Sequence, residues 1–265
     1  MESVVAAPGG MDRGAAPAVT RAVAILNLLA ARGAPQSLTE IAVSLGIAKS
    51  SVLNFCLALE AGGLIQRQEL GYTLGRRTVE LGGAYLRSFD QVREFYRICS
   101  ESAVLGKQLL QIAMLDGRDV LYLARHEGHS PMRMSASIGD RFPASVTAVG
   151  NALLSLIPPA EIDTLYADLE AWPRFTDKSV ASLSALHKKL AKVRERGYAL
   201  DEGEVFSNVV GLAVVIQPCR SSRTALAIGA SMFAPDDAPQ QRNDVINELK
   251  RAASLLSPPM LIAES

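Results

Sequence analysis

Residues 37–65 read SLTEIAVSLGIAKSSVLNFCLALEAGGLI, and this stretch decides the first half of the fold. Ser37 stands three residues before Glu40, the spacing of a capping box, so a helix begins there. It runs through Ile41, Ala42 and Leu45 and stops at Gly46. A second helix spans about Lys49 to Ala61 and is closed by Gly62 and Gly63. Val52, Cys56 and Leu59, with Phe55 alongside, give it a buried face at helical spacing. Ser50, Ser51 and Asn54 fall on the other side. Two short helices about a tight turn, the second showing small polar groups outward, form a helix-turn-helix pattern.

Upstream, VTRAVAILNLLAA (19–31) is an amphipathic helix. Val19, Val23, Leu26 and Ala30 form one stripe, with Ile25 and Leu29 beside it. Gly33 suits its C-terminal cap and Pro35 prevents continuation. Downstream, LIQR and YTLG flank the polar turn QELG and read as a β-hairpin. Three helices followed by a hairpin is the order of a winged helix-turn-helix. Arg76 to about Ser88 is helical again, despite Gly82 and Gly83, and suits a connection between domains.

The remainder mixes strands and helices. QLLQIAMLDGRDVLYLARHEG holds two alternating apolar runs about Asp116-Gly117, a hairpin signal. MRMSAS is a third strand candidate; VVGLAVVIQP and TALAIGASMF are two buried ones. Helices are expected at 147–157, in AEIDTLYADL, at 182–196 and in APQQRNDVINELKRAASLL. The fold class is α+β: an N-terminal winged helix-turn-helix, a linker helix, and a C-terminal α/β domain with a mostly antiparallel sheet. The expected organisation is a tail over 1–16, the DNA-binding domain over 17–77, the linker over 78–92 and a second domain over 93–265.

Composition narrows the function classes. The chain has 265 residues, is 49% hydrophobic and carries a formal net charge of zero, so it is no basic nucleic-acid sponge. Residues 17–90 carry a net charge of +2 and residues 91–265 a net of −1, so any nucleic-acid contact depends on local placement. No apolar run approaches the roughly 18 to 20 uncharged positions of a membrane span. The N-terminal stretch lacks the charged and apolar blocks of a signal peptide. Cys56, Cys99 and Cys219 are odd in number and far apart, which fits a reducing cytoplasm without a disulfide framework.

DNA contact has a concrete chemistry here. Short hydroxyls on Ser50 and Ser51 accept bases of either type or let the backbone approach phosphates, and Asn54 can pair with an adenine edge. Lys49, Arg67, Arg76 and Arg77 are candidate phosphate contacts, which makes binding salt-dependent. Thr39, on the first helix of the pair, and Leu53, which can meet a thymine methyl, complete the candidate set.

The run RAVAILNLLAARGAPQSLTEIAVSLGIAKSSVLNFCLALEAGGLIQR, followed by GYTLG, resembles the DNA-binding domain of the IclR family of bacterial transcription regulators. The resemblance continues collinearly through AMLDGRDVLYL, MRMSASIGDRFPAS, TAVGNALL, VRERGYALDEGE, VVGLAVVI and ALAIGASM, over about residues 19–260. It implies a GAF-like second domain that senses a small organic acid or aromatic. It also implies a homodimer, often a dimer of dimers, on palindromic operators. By motif position, the effector would meet Ala148, Val149, Asp201, Gly211, Gly229 and Ser231. The chain departs from the family pattern in four places. Leu53-Asn54 replaces a common His-Arg, Asn151 a frequent Lys, Gly211 a frequent Cys and Gly229 a frequent Ser. The two glycines imply either a roomier, less polar pocket or simply a close backbone approach or a bulge. Asp201 either lines the pocket or only begins a loop.

Enzyme chemistry finds no foothold in the sequence. There is no G-x-S-x-G, no phosphate-binding glycine loop and no Cys/His/Asp series in a family context. His126 and His129 bracket Glu127 but have no third ligand at matching spacing, so neither metal nor cofactor is expected. The alternative to a regulator is a small-molecule-binding or protein-docking module whose helix-turn-helix has lost specific DNA binding.

Overall fold

Local signals place the first unit's elements almost residue by residue in the computed structural model, which describes residues 16–128, 136–218, 224–234 and 238–257. The chain divides into two compact units, one ending at Ser88 and one starting at Phe89. In the first, α1 spans Pro17–Arg32, α2 Leu38–Leu45 and α3 Lys49–Ala61. The capping box before α2 is complete: Glu40 N donates to Ser37 Oγ at 3.2 Å and Ser37 N to Glu40 Oε2 at 2.7 Å. Gly46 ends α2 in the left-handed region, φ +63°, and its neighbour Ile47 donates to Ala42 O at 3.1 Å. The axes of α2 and α3 then meet at 114°, within the range of helix-turn-helix pairs.

Ile25, Leu29, Ile41, Val52, Cys56, Leu59, Ile65 and Tyr72 form this unit's core. On α1 the buried positions are Ile25 and Leu29, whereas Val19, Val23 and Ala30, expected on the stripe, are exposed. The helix carries two adjacent apolar stripes, and periodicity alone cannot say which one α2 and α3 will cover.

The wing is β1 (Ile65–Gln68) paired antiparallel with β2 (Gly71–Leu74). Gln36, just before α2, adds a single rung on the other edge of β2: its backbone exchanges hydrogen bonds with Tyr72 at 2.9 and 2.8 Å. Gly71 permits that approach, with φ +145° and no room for a side chain; a Cβ there would lie 2.3 Å from Gln36 O. Beyond the wing, α4 covers Arg77–Leu86 and buries no residue. The segment 78–92, read from sequence as one linker helix, is interrupted. Ser88 Oγ donates to Tyr85 O at 2.6 Å, Phe89 is extended, and α5 starts at Asp90.

The second unit opens with α5 (Asp90–Glu101), unforeseen in the sequence reading, which buries Val92, Phe95, Ile98 and Cys99. Then come β3 (Leu109–Asp116), β4 (Asp119–His126), β5 (Arg141–Pro143), α6 (Ala148–Leu154), α7 (Pro159–Tyr166) and α8 (Leu183–Arg196). The chain continues through β6 (Ala199–Glu202), β7 (Val209–Ile216), β8 (Leu226–Phe233) and α9 (Pro239–Leu256). The six strands pair antiparallel in the order β5-β4-β3-β8-β7-β6. The hairpin turns at Gly117, φ +62°, as Asp-Gly implied.

Three expectations are corrected here. The helix expected over 147–157 is the shorter α6, capped by Thr147 Oγ1, which accepts from Gly150 N at 3.1 Å. Asp201 lies inside β6 and does not merely begin a loop. The edge strand on β4 is Arg141–Pro143; the part of the MRMSAS candidate that falls in the structure, Ala136 and Ser137, is not strand. The rest of that candidate, the tail up to residue 15, His129 and Cys219 lie outside the described residues.

The two faces of the sheet differ in side-chain size. Alternation along the strands turns Gln111, Ala113, Gly211, Ala213, Ala227 and Gly229 to the side covered by α6, α7 and α8. The larger Leu110, Ile112, Leu212 and Ile228 face the other side, under α5 and α9.

Gly71→Ala should destabilise the first unit by about 2 kcal/mol through the clash with Gln36. Ser37→Ala, which removes only a cap, should cost about 1 kcal/mol. Thermal melts of the two variants check the order, and a milder Gly71→Ala would mean that the Gln36 rung does not hold the wing.

Candidate functional site

The outward face of α3 is the first candidate. Lys49, Ser50, Leu53 and Asn54 are exposed and Ser51 is half-buried, while Val52, Cys56 and Leu59 turn into the core. Burial pushes the Cys56 thiol up to about 11, so it behaves as a small apolar group. Thr39 is exposed on α2 and Arg67 on β1; Arg76 is exposed just ahead of α4. Among the described residues no carboxylate pairs with Lys49, Arg67 or Arg76. Arg77 differs, because Nη1 meets Glu80 Oε2 at 2.6 Å one turn along α4. One exposed residue escaped the sequence reading: Leu57, 52% exposed, continues the face set by Ser50 and Asn54. Its signal was spacing, seven residues past Ser50 and three past Asn54, masked by its apolar type.

The second candidate is a cavity of about 350 Å³ inside the second unit. Ala148, Val149, Asp201, Gly211, Gly229 and Ser231, six positions scattered over 84 residues of sequence, all line it. Strand register explains the convergence. Asp201 pairs with Gly211, and Gly211 with Ser231, so three of them form one row across β6, β7 and β8. Gln111 and Ala213 flank Gly229 in the next row on this face. Ala148 and Val149 come down from the first turn of α6.

Those two rows are also where α6 sits closest. A Cβ at Gly229 would stand 2.7 Å from Val149 Cγ1, and one at Gly211 3.2 Å from Ala148 Cβ. At Gly229 close approach is therefore the reading the packing shows, since α6 occupies the space a side chain would take; at Gly211 the contact is tight but leaves room for a small shift. The room of the cavity comes from elsewhere, between the sheet, Phe142 and the segment carrying Val205, Phe206 and Asn208. Sequence reasoning missed these walls, along with Gln111, Tyr122, Thr147 and Phe233. Phe142 packs edge-on against Tyr122 with centroids 6.2 Å apart.

Asp201 is the only acidic or basic side chain among the described lining residues. Its Oδ1 accepts from Gly203 N at 3.0 Å and Glu204 N at 2.6 Å. Burial, outweighing those bonds, pushes its carboxyl up to about 6. Glu204 is anchored in turn: it pairs with Lys189 of α8 and accepts from Val180 N at 3.2 Å. Lys189 also reaches Ser145 O at 3.4 Å, just ahead of α6. Gln111 Nε2 donates to Ala136 O at 2.9 Å across the sheet side of the cavity. Among the described residues no three of His, Cys, Asp and Glu converge as metal ligands; His126 ends β4.

Two family models match in sequence order. Residues 18–69 match the IclR helix-turn-helix domain, and residues 83–258 match the bacterial transcriptional regulator IclR C-terminal domain. The chain belongs to the IclR family. It is 32% identical to the HTH-type transcriptional regulator XynR of Escherichia coli K12, over 83% of this chain and 88% of that one. The fold matches that of an IclR regulator from Alicyclobacillus acidocaldarius with a TM-score of 0.78, at 22% identity, over 91% of this chain and 97% of that one. An IclR homolog from Microbacterium hydrocarbonoxydans, complexed with 4-hydroxybenzoate, aligns with a TM-score of 0.75 at 21% identity over 91% and 97%. As an IclR protein, the chain is a transcriptional regulator with a helix-turn-helix and a C-terminal effector-binding domain, not an enzyme.

Because the folded chain holds the Asp201 proton up to about pH 6, against 3.8 for an ordinary aspartate, the contribution of Asp201 to stability should fall as pH rises between those values and level off above. Asp201→Asn keeps an oxygen for the two backbone donors and removes that loss. Its melting temperature should gain on the wild type from pH 4 to pH 7, read by scanning fluorimetry. Parallel curves would show a solvated carboxylate.

Proposed function

We propose that this IclR regulator binds a palindromic operator as a homodimer or dimer of dimers in the cytoplasm. A small organic acid or aromatic in the cavity sets its affinity for DNA. The observation that carries the reading is the convergence of six distant residues on one aromatic-walled cavity, in a chain whose other unit presents a helix-turn-helix. A constitutive DNA binder has no need of such a space. The phenyl walls Phe142, Phe206 and Phe233 support an aromatic effector, and the relative complexed with 4-hydroxybenzoate adds to that case.

In this reading Ser50, Ser51, Leu53 and Asn54 face base edges, while Lys49, Thr39, Arg67, Arg76 and Arg77 serve phosphates. Residues 17–77 act as the reading head, 78–92 as the connection and 93–265 as the sensor. The effector shifts the population of assemblies whose recognition helices fit successive major grooves, about 34 to 36 Å apart.

Mobility shifts on the intergenic DNA upstream of the chain's own gene, at low and moderate salt, test the proposal. Preference over scrambled competitor is expected, with a change on adding 4-hydroxybenzoate or related aromatic acids. Arg67→Ala should weaken binding to all sequences alike and lower the salt slope by about 1. Equal affinity for operator and random DNA at every salt would favour the docking-module alternative.

A further inference from the structure

The outward face of α3 is unusual for an exposed helix: between Lys49 and Glu60 it carries no charge. Ser50, Leu53, Asn54 and Leu57 lie at i, i+3, i+4 and i+7, a single stripe, and the two leucines are 39% and 52% exposed. The core has no use for them, since Val52, Cys56 and Leu59 already fill the inner face. Solvent-facing helix positions ordinarily carry charge. Two leucines kept outward on either side of an asparagine therefore ask for a partner with apolar groups beside an amide-complementary edge.

We propose that Leu53 and Leu57 read thymine methyl groups on either side of an adenine held by Asn54, so that the operator half-sites centre on A·T pairs. The inference rests on the DNA-binding reading above. In the major groove an A·T pair offers adenine N7 and N6 to an asparagine amide, and thymine supplies the C5-methyl, the apolar group of that edge. Guanine is read best by a bidentate cation, and along this stripe there is none; Lys49 stands at the helix start. Positions 50, 53, 54 and 57 carry no charge themselves; Lys49 stands one turn before Leu53 at the helix start, and Arg67 and Arg76 lie on other elements. A protein partner would also accept leucines. The 114° helix pair and its flanking cations favour a duplex.

Methyl replacement separates these possibilities. Duplexes bound by the full chain are selected from a random-sequence pool, and each thymine of the selected site is then replaced singly by deoxyuridine, which lacks only the methyl group. Selected half-sites should hold A·T pairs at their centre, and one or two replacements per half-site should weaken binding about fourfold each. Leu53→Ala and Leu57→Ala should bind the thymine duplex more weakly while losing the distinction between thymine and deoxyuridine. Both side chains are exposed, so unchanged melting temperatures verify folding. Binding indifferent to every methyl, G·C pairs at the centre, or leucine variants with full affinity would overturn this inference alone. A pool that shows no enrichment removes the DNA-binding reading and this inference with it.

Discussion

The seating of α6 on the sheet governs the second unit. Val149 occupies the place that a side chain at Gly229 would need, and Ala148 stands over Gly211. The first contact excludes a Cβ and the second leaves little room for one, and together they bring the first turn of α6 to the rows that hold Asp201, Gly211, Ser231 and Gly229. A side chain at Gly229 would require Val149 or the strand beneath it to shift. The pocket is thus a consequence of unequal packing. One face of the sheet carries small residues and meets a close helix, while the other carries leucine and isoleucine under α5 and α9.

The electrostatics of the cavity follow from that packing. Asp201 is enclosed, and it is tied through the backbone of Gly203 and Glu204 to the Lys189–Glu204 pair. Lys189 spans from Glu204 to the carbonyl of Ser145, so the loop after β6, α8 and the approach to α6 share one polar knot. Such a pair is weak evidence of stability, since desolvation offsets its attraction. Its value is geometric: it keeps the segment bearing Val205 and Phe206 beside the carboxylate.

In the first unit the governing constraint is the three-residue turn. Gly46 lets the chain leave α2 in a left-handed conformation, and α3 then departs at 114° with its inner face committed to the core. What remains outward is Lys49 at the helix start, then Ser50, Leu53, Asn54 and Leu57, which carry no charge. In the proposed DNA-binding reading, that division would separate sequence-independent attraction to phosphates from discrimination at the bases. The wing depends on Gly71, whose missing side chain admits the Gln36 strand, so the hairpin is fastened to the chain just before the recognition pair.

Features set by short-range chemistry were legible in the amino-acid sequence: the Ser37 cap, the glycine stops, the Asp-Gly hairpin and the buried side of α3; the six expected positions that line the cavity came from the family resemblance alone. Each of the former depends on neighbours within a turn or two. The edge strands β5 and β6 were hidden because three or four residues carry no periodicity of their own and become strands only when a neighbour pairs with them. The buried side of α1 was ambiguous between two apolar stripes until α2 and α3 covered one. What the sequence by itself determined was the bounds of those elements that carry their own caps, turns or glycine stops, and which chemistry each could offer. The tertiary structure alone decided which glycines are filled by a neighbouring helix, which aromatic side chains wall the cavity and which leucines stay outside the core. Those outcomes depend on contacts between residues far apart in the chain, for which no local pattern exists.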